Sequence, residues 1–260
     1  MKTCIAVVLL LFGGICFAQN APHAGRQTGE AYPESEAAAA WRALAAGYVR
    51  KALKDQRLDQ DRSLNARVDA VMAAVGAAVA AIDPRYSNST WKAILIEDFG
   101  YGAAAFPGET ILVDASFVRK LQVNDDELAL ILSHEAAHLV AGHAAAKLSF
   151  MAEFLGKKKL PTARTALLEF LAKDDYAAAY RPTARLQERE ADRIGAGIFF
   201  AAGYDGQVAL RVFDKLALLE GGETERDPGW HDLATARKQA VSEALAELQR
   251  FHAGRQRTPQ

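Results

Sequence analysis

The chain has 260 residues, half of them hydrophobic, and a formal net charge of −1. That length supports one well-buried domain, or at most two small ones. The near balance of acidic and basic residues leaves no electrostatic footprint for nucleic acid. Sparse aromatics and abundant alanine point to closely packed helices.

The N-terminus reads as a targeting segment. Met1-Lys2 gives a short positive start, Ile5 to Phe12 is an apolar run, and Gly13-Gly14 breaks it. Cys16-Phe17-Ala18 then offers small residues where a signal peptidase reads, so residues 1–18 are expected to be a signal peptide cleaved after Ala18. The apolar run is short for a membrane span, which needs about 20 residues. Gly13-Gly14-Ile15 is a poor lipobox for Cys16, which ranks lipidation below simple cleavage. Both cysteines, Cys4 and Cys16, lie in this segment. The exported chain, expected in the periplasm without a membrane span, would then have no disulfide framework, no cysteine nucleophile and no thiolate metal site.

Residues 19–33 are polar, carry Pro22 and Pro33, and read as a flexible mature N-terminus. A single domain is expected over 34–252, with a disordered tail at 253–260. Helical spacing runs from Ser35 to about Asp59 and again from about Leu64 to Ile82, where Pro84 ends it. The period then changes: Trp91 to Glu97 and Thr110 to Val113 read as strands, and the segment between them, Gly100 to Gly108, is small, apolar and glycine-rich. Helical patterning returns at about Asp125 and continues to the end, with breaks expected near Gly156, Pro161, Pro182, Gly203 and Gly221-Gly222. The layout predicts a mainly helical α+β fold with a small sheet.

The helix from Asp125 contains His134-Glu135-Ala136-Ala137-His138. Histidines at i and i+4 project from one face, so both imidazoles reach one ion. Glu135 is displaced by about 100° around the helix, so it stands beside a metal rather than on it and can take a proton from a water. The pattern arises by chance in roughly one chain in a hundred of this composition, so context matters. The flanks are apolar, which puts the pair on a largely buried helix. Isolated histidines there would more often be satisfied core residues, but two with an intervening Glu are hard to explain that way.

A catalytic zinc needs a third protein ligand and an open position. The metzincin positions are Ala141 and Ala144, which excludes that class. His143, on a continuing helix, would point about 140° away from His138 and reads as a helix-end residue near Gly142. Downstream, Glu188 and Asp192 are again i and i+4. Spacing allows Glu188 as the third ligand without requiring it, and allows Asp192 to hold a ligating histidine. Glu190 falls on another face and reads as solvated or structural.

The combination of His134-Glu-Ala-Ala-His138-Leu-Val-Ala-Gly-His143 with Glu188-Arg-Glu-Ala-Asp192 resembles the gluzincin family of CAAX prenyl protease 1. That family includes the membrane heat-shock protease HtpX and the periplasmic β-barrel assembly-enhancing protease. Pro107-Gly108-Glu109-Thr110, Asp125-Asp126-Glu127 and Ala202-Gly203-Tyr204-Asp205 extend the likeness, which spans about Trp91 to Arg237. The family's Asn-Ala-Phe before the Pro-Gly is replaced here by Gly102-Ala103-Ala104, and neither a tetratricopeptide tail nor a set of membrane spans is expected. The resemblance implies a soluble, minimal zinc endopeptidase with one Zn2+ held by His134, His138 and Glu188, and Glu135 as general base. It also brings His231 and Arg237 near the metal as catalytic residues. From the residues alone, His231 reads rather as a surface or N-terminal helix histidine beside Asp232, and the resemblance reverses that balance. Ala103, Ala104, Ala105 and Phe106 are expected to offer a strand edge to extended substrates. Unfolded or misassembled envelope proteins are the expected substrates and envelope proteins possible partners. The competing reading is a weakly active, chaperone-like zinc protein.

Overall fold

The computed structural model describes residues 31–156, 158–219 and 231–256. The expected signal peptide, residues 19–30, the Gly221-Gly222 break, Pro228 to Trp230 and residues 257–260 lie outside the described residues. Two long helices come first, α1 (Glu34–Lys54) and α2 (Arg62–Ile82), then a 3-10 turn at Pro84–Tyr86. The strands are β1 (Lys92–Ile96), β2 (Ala103–Phe106) and β3 (Thr110–Asp114). Then follow α3 (Ala115–Lys120), α4 (Asp125–Val140), α5 (His143–Leu155), α6 (Ala163–Ala172), α7 (Asp174–Ala202), α8 (Gly206–Ala209), α9 (Arg211–Leu219) and α10 (Ala234–Gln256). The fold is mainly helical with one small mixed sheet.

The sheet order is β1-β3-β2, with β1 parallel and β2 antiparallel to β3. Its two edges differ. The edge of β1 is covered: Asp59 N–H donates to Leu95 O at 3.1 Å, and Glu97 N–H donates to Arg57 O at 2.8 Å. β2 is the open edge among the described residues. One face of the sheet, with Leu95, Ile111 and Val113, joins a core built on α2, α4, the second half of α7 and α8 to α10. The other face, with Ile96, Leu112 and Phe106, joins a second core built on α1, α5, α6 and the first half of α7. α7 crosses from one core to the other. α2 is long and apolar enough to cross a membrane, but Val68, Val71, Met72, Val75 and Val79 bury its face in the first core.

Four expectations need correction. Ala31 to Pro33, assigned to a flexible stretch, are held: Tyr32 is buried and its hydroxyl donates to Leu160 O at 2.6 Å. α1 stops at Lys54, because Gln56 takes a left-handed conformation (φ 56°) and the chain turns to cover β1. Pro182 does not break the helix: α7 runs through it. Proline removes one main-chain donor there, but the position is exposed, so water can hydrate the released carbonyl. α10 continues to Gln256, past residue 252, and the ring of His252 packs on Phe200 at 6.0 Å.

Candidate metal centre and cleft

α4 is fixed at both ends. At its start Asn124 and Glu127 form a reciprocal capping box, with Glu127 N–H donating to Asn124 Oδ1 at 2.9 Å and Asn124 N–H to Glu127 Oε2 at 2.8 Å. Glu127 is buried, and Lys215 Nζ donates to it at 2.6 Å. At its end Tyr86 Oη donates to Leu139 O at 3.1 Å and Arg85 to Val140 O at 3.0 Å, which satisfies carbonyls left without helical partners. Gly142 then takes φ 74°, a left-handed conformation that breaks the helix. α7 lies close against α4 at the first histidine. A Cβ on Gly195 would stand 2.9 Å from His134 Cα, so glycine is required for this approach.

The donor atoms converge at that crossing. His134 Nε2 lies 3.1 Å from Glu188 Oε2 and 3.1 Å from His138 Nε2. His138 Nε2 is 3.5 Å from Glu188 Oε2, and His231 Nε2 is 2.9 Å from it. Donors bound tetrahedrally at zinc distances stand about 3.3 Å apart, so the set fits one zinc ion. His134, Glu188 and His231 also place one donor atom each within 4.8 Å of one another. The individual distances bring His138 into the same ring. His231, half exposed, therefore sits where a fourth ligand would.

The opposite nitrogens are held from behind. His134 Nδ1 is 2.9 Å from Asp192 Oδ1. Arg237 donates to both Asp192 oxygens, at 2.9 and 2.8 Å. Arg237, expected among the catalytic residues, thus directs its charge at Asp192 and stands 3.4 Å from His134 Nδ1. His143 does not point away as expected. The break at Gly142 swings it back, so that its Nδ1 is 2.9 Å from His138 Nδ1 and its Nε2 is 3.4 Å from Glu190 Oε2. Glu190 is therefore the outer end of a relay rather than a solvated residue. Sequence reasoning missed the placement of His143; the left-handed preference of Gly142 before it was the available signal.

The electrostatics suit a cation. Burial pushes the pKa of His134 down, but hydrogen bonds to Asp192 and Glu188 outweigh this and carry it to about 9. Burial pushes Glu188 up, yet the charge of His138 and hydrogen bonds from His134, His138 and His231 hold it well below the usual carboxylate range. Asp192 is likewise pushed up by burial and held down by His134 and Arg237. The buried Asp192 and the partly buried Glu188 carboxylates thus stay ionised beside a cluster of imidazoles.

Glu135, one residue on from His134, faces a cleft of about 380 Å³. Tyr101, Gly102 and Ala103, at the start of the open strand, form its rim. Ala104, Ala105 and Phe106 continue that strand beyond it. In the antiparallel pair with β3, Asp114 N–H donates to Gly102 O at 2.7 Å. Alternation along the strand then turns Ala104 and Phe106 toward β3, and the main-chain groups of Ala103 and Ala105 outward.

A family model described as peptidase family M48 matches residues 60–252. The chain is 28% identical over 170 residues to the mitochondrial metalloendopeptidase OMA1 of Schizosaccharomyces pombe, covering 63% of this chain and 49% of that protein. It is 29% identical over 147 residues to the protein of the same name in Saccharomyces cerevisiae, covering 53% and 42%. To the metalloprotease YcaL of Escherichia coli it is 25% identical over 129 residues, covering 48% and 51%. The chain spans about half the length of these curated relatives. The family match takes in the paired histidines, the α7 carboxylates and the cleft that joins them, and the chain belongs to peptidase family M48, a family of zinc-dependent metallopeptidases.

Proposed function

We propose that this chain is a zinc-dependent endopeptidase, with one ion held by His134, His138 and Glu188 and with Glu135 as general base. The observation that carries this is the convergence of two histidine Nε2 atoms on Glu188 Oε2 at 3.1 and 3.5 Å, beside a cleft that Glu135 faces. Bound there, zinc supplies a Lewis acid for the scissile carbonyl and lowers the pKa of the attacking water. Glu135 takes that water's proton on its carboxylate and delivers it to the leaving amine. Asp192 and His143 keep the Nδ1 protons of His134 and His138 engaged, which leaves both Nε2 lone pairs for the ion. The outward main-chain groups of β2 bind an extended substrate.

Main-chain pairing reads backbone more than side chains, which supports unfolded or misassembled proteins as substrates. The leader-like start of the sequence supports the envelope as their location and the periplasm as the place of action. A second reading, a weakly active zinc protein with a chaperone-like or substrate-binding role, draws on His231, whose Nε2 stands 2.9 Å from Glu188 Oε2. Turnover of unfolded casein separates the two. The peptidase reading expects chelator-sensitive cleavage that returns with zinc, whereas zinc-loaded protein that binds casein and leaves it intact would favour the second. Proteomics of a strain carrying Glu135→Gln identifies trapped substrates.

A further inference from the structure

Lys147 lies on α5 one turn after His143, and so on the same face of that helix. His143 reaches forward to His138, with 2.9 Å between their Nδ1 atoms. Lys147 is thus set one turn behind the metal centre, and its side chain enters the second core. There its ammonium stands 5.5 Å from the centre of the Trp41 ring on α1, 5.4 Å from that of Phe170 on α6 and 5.7 Å from that of Tyr180 on α7. All three rings are within the range of a cation–π contact.

The walls of this cage are themselves held. Trp41 Nε1 donates to Ala144 O at 2.9 Å, and Tyr180 Oη donates to Gln187 Oε1 at 2.6 Å. Phe170 meets the Tyr180 ring edge to face at 5.8 Å. Gln187 directly precedes Glu188, so the ring that faces the ammonium is tied to the neighbour of a metal ligand. Burial pushes the pKa of Lys147 down, and the charges of Glu188 and Glu135 oppose that fall. Enclosing an ammonium costs free energy that an apolar chain of the same length would not. The rings offset part of the cost, but packing alone gives no reason for a lysine here. Asp192 already has Arg237 as its partner, whereas Glu188 and Glu135 share the field of Lys147.

A fixed positive charge behind a cation site repels the cation that enters it, and does so more strongly inside a protein than in water. We propose that the caged ammonium of Lys147 tunes the metal centre, weakening its hold on zinc and making the bound ion a stronger Lewis acid. This rests on the zinc reading of the site and adds to it a charge outside the ligand set.

The test measures the zinc affinity of the full chain by competition with a chromogenic chelator, with urea unfolding of the zinc-free protein as the check on folding. Lys147→Met removes the charge and leaves an apolar chain of similar length in the cage. Zinc is expected to bind at least about tenfold more tightly, and casein turnover at full zinc occupancy to fall. Lys147→Gln should tighten zinc likewise, and Lys147→Arg, which keeps the charge, should stay near the wild type. A purely structural lysine would leave zinc affinity unchanged or weaken it on replacement. Zinc bound no more tightly, or turnover that does not fall, in a folded Lys147→Met chain would overturn the proposal, as would equal tightening in Lys147→Arg. The wild type gives a reading that needs no variant. Coupling between two sites is reciprocal, so zinc must lower the pKa of Lys147 relative to the zinc-free chain, followed by NMR of lysine-labelled protein. An unmoved value would also overturn it. Failure of the wild type to bind zinc strikes the metal reading itself, a result distinct from zinc held with an affinity that the charge does not change.

Discussion

Arg237 and Asp192 form a nearly buried ion pair, with side chains 13% and 8% exposed, directly behind His134. Removing one partner of such a pair leaves an uncompensated charge, at a cost of about 3–5 kcal/mol. Losing the support behind a metal-binding histidine weakens metal affinity about 10–100-fold. Arg237→Leu should therefore lower the stability of zinc-loaded protein in urea and release zinc to a weaker competing chelator. Unchanged zinc affinity would make Arg237 structural only. His231 is different, since its Nε2 stands on the open side of Glu188. In that position its Nε2 would compete with substrate for a bound ion. His231→Ala is expected to raise casein hydrolysis at equal zinc occupancy. A fall of about a hundredfold or more would instead make it an oxyanion donor. The pairing of His134, Glu135 and His138 was legible in the sequence because helical spacing alone puts both imidazoles on one face. Arg237's job was not, because only packing against α7 shows that its fork meets Asp192.

At the scale of elements, the end of α4 depends on the 3-10 turn. Tyr86 Oη donates to Leu139 O, and burial pushes its pKa up from 10.0 to about 12, with nearby Asp83 and Glu109 adding to the rise and Arg85 opposing it. A raised pKa means that the folded chain holds the proton more tightly. The stabilisation is complete below pH 10 and is lost as pH rises from 10 toward 12. Tyr86→Phe should flatten part of the fall in stability over that window, read by urea unfolding at each pH; an unchanged slope would contradict the shift caused by burial of the hydroxyl. The edge of β2 gives a second prediction. Ala105 turns its N–H outward, so Ala105→Pro removes a donor from the free edge without breaking the ladder to β3. Casein turnover should fall while zinc content stays full, and unchanged turnover by folded protein would remove β2 from the substrate path. The strands were legible because β1 and β3 are apolar runs bounded by turn residues. Which alternate residues of β2 face the edge was not, because that depends on the hydrogen bond from Asp114 to Gly102 across the sheet. The same limit applied at Gly142, where one left-handed residue turns a continuing helix into two and brings His143 to His138.

The whole molecule is organised around α7. Tyr180 and Ala184 belong to one core, Ala191, Ile198 and Phe199 to the other, and Glu188 lies between them. The candidate metal site therefore lies at the seam, with α4 and α7 in close approach at Gly195. The two helices and their motifs were legible in the sequence but the seam was not, because the two cores separate only through the two faces of a three-stranded sheet. The central claim is that this seam holds a zinc ion worked by Glu135. Its most direct test is zinc content and casein hydrolysis measured together on Glu135→Gln and Glu188→Ala. The account predicts one zinc per chain and no hydrolysis for Glu135→Gln, and loss of both for Glu188→Ala. Full hydrolysis by Glu135→Gln, or stoichiometric zinc in Glu188→Ala, would contradict it.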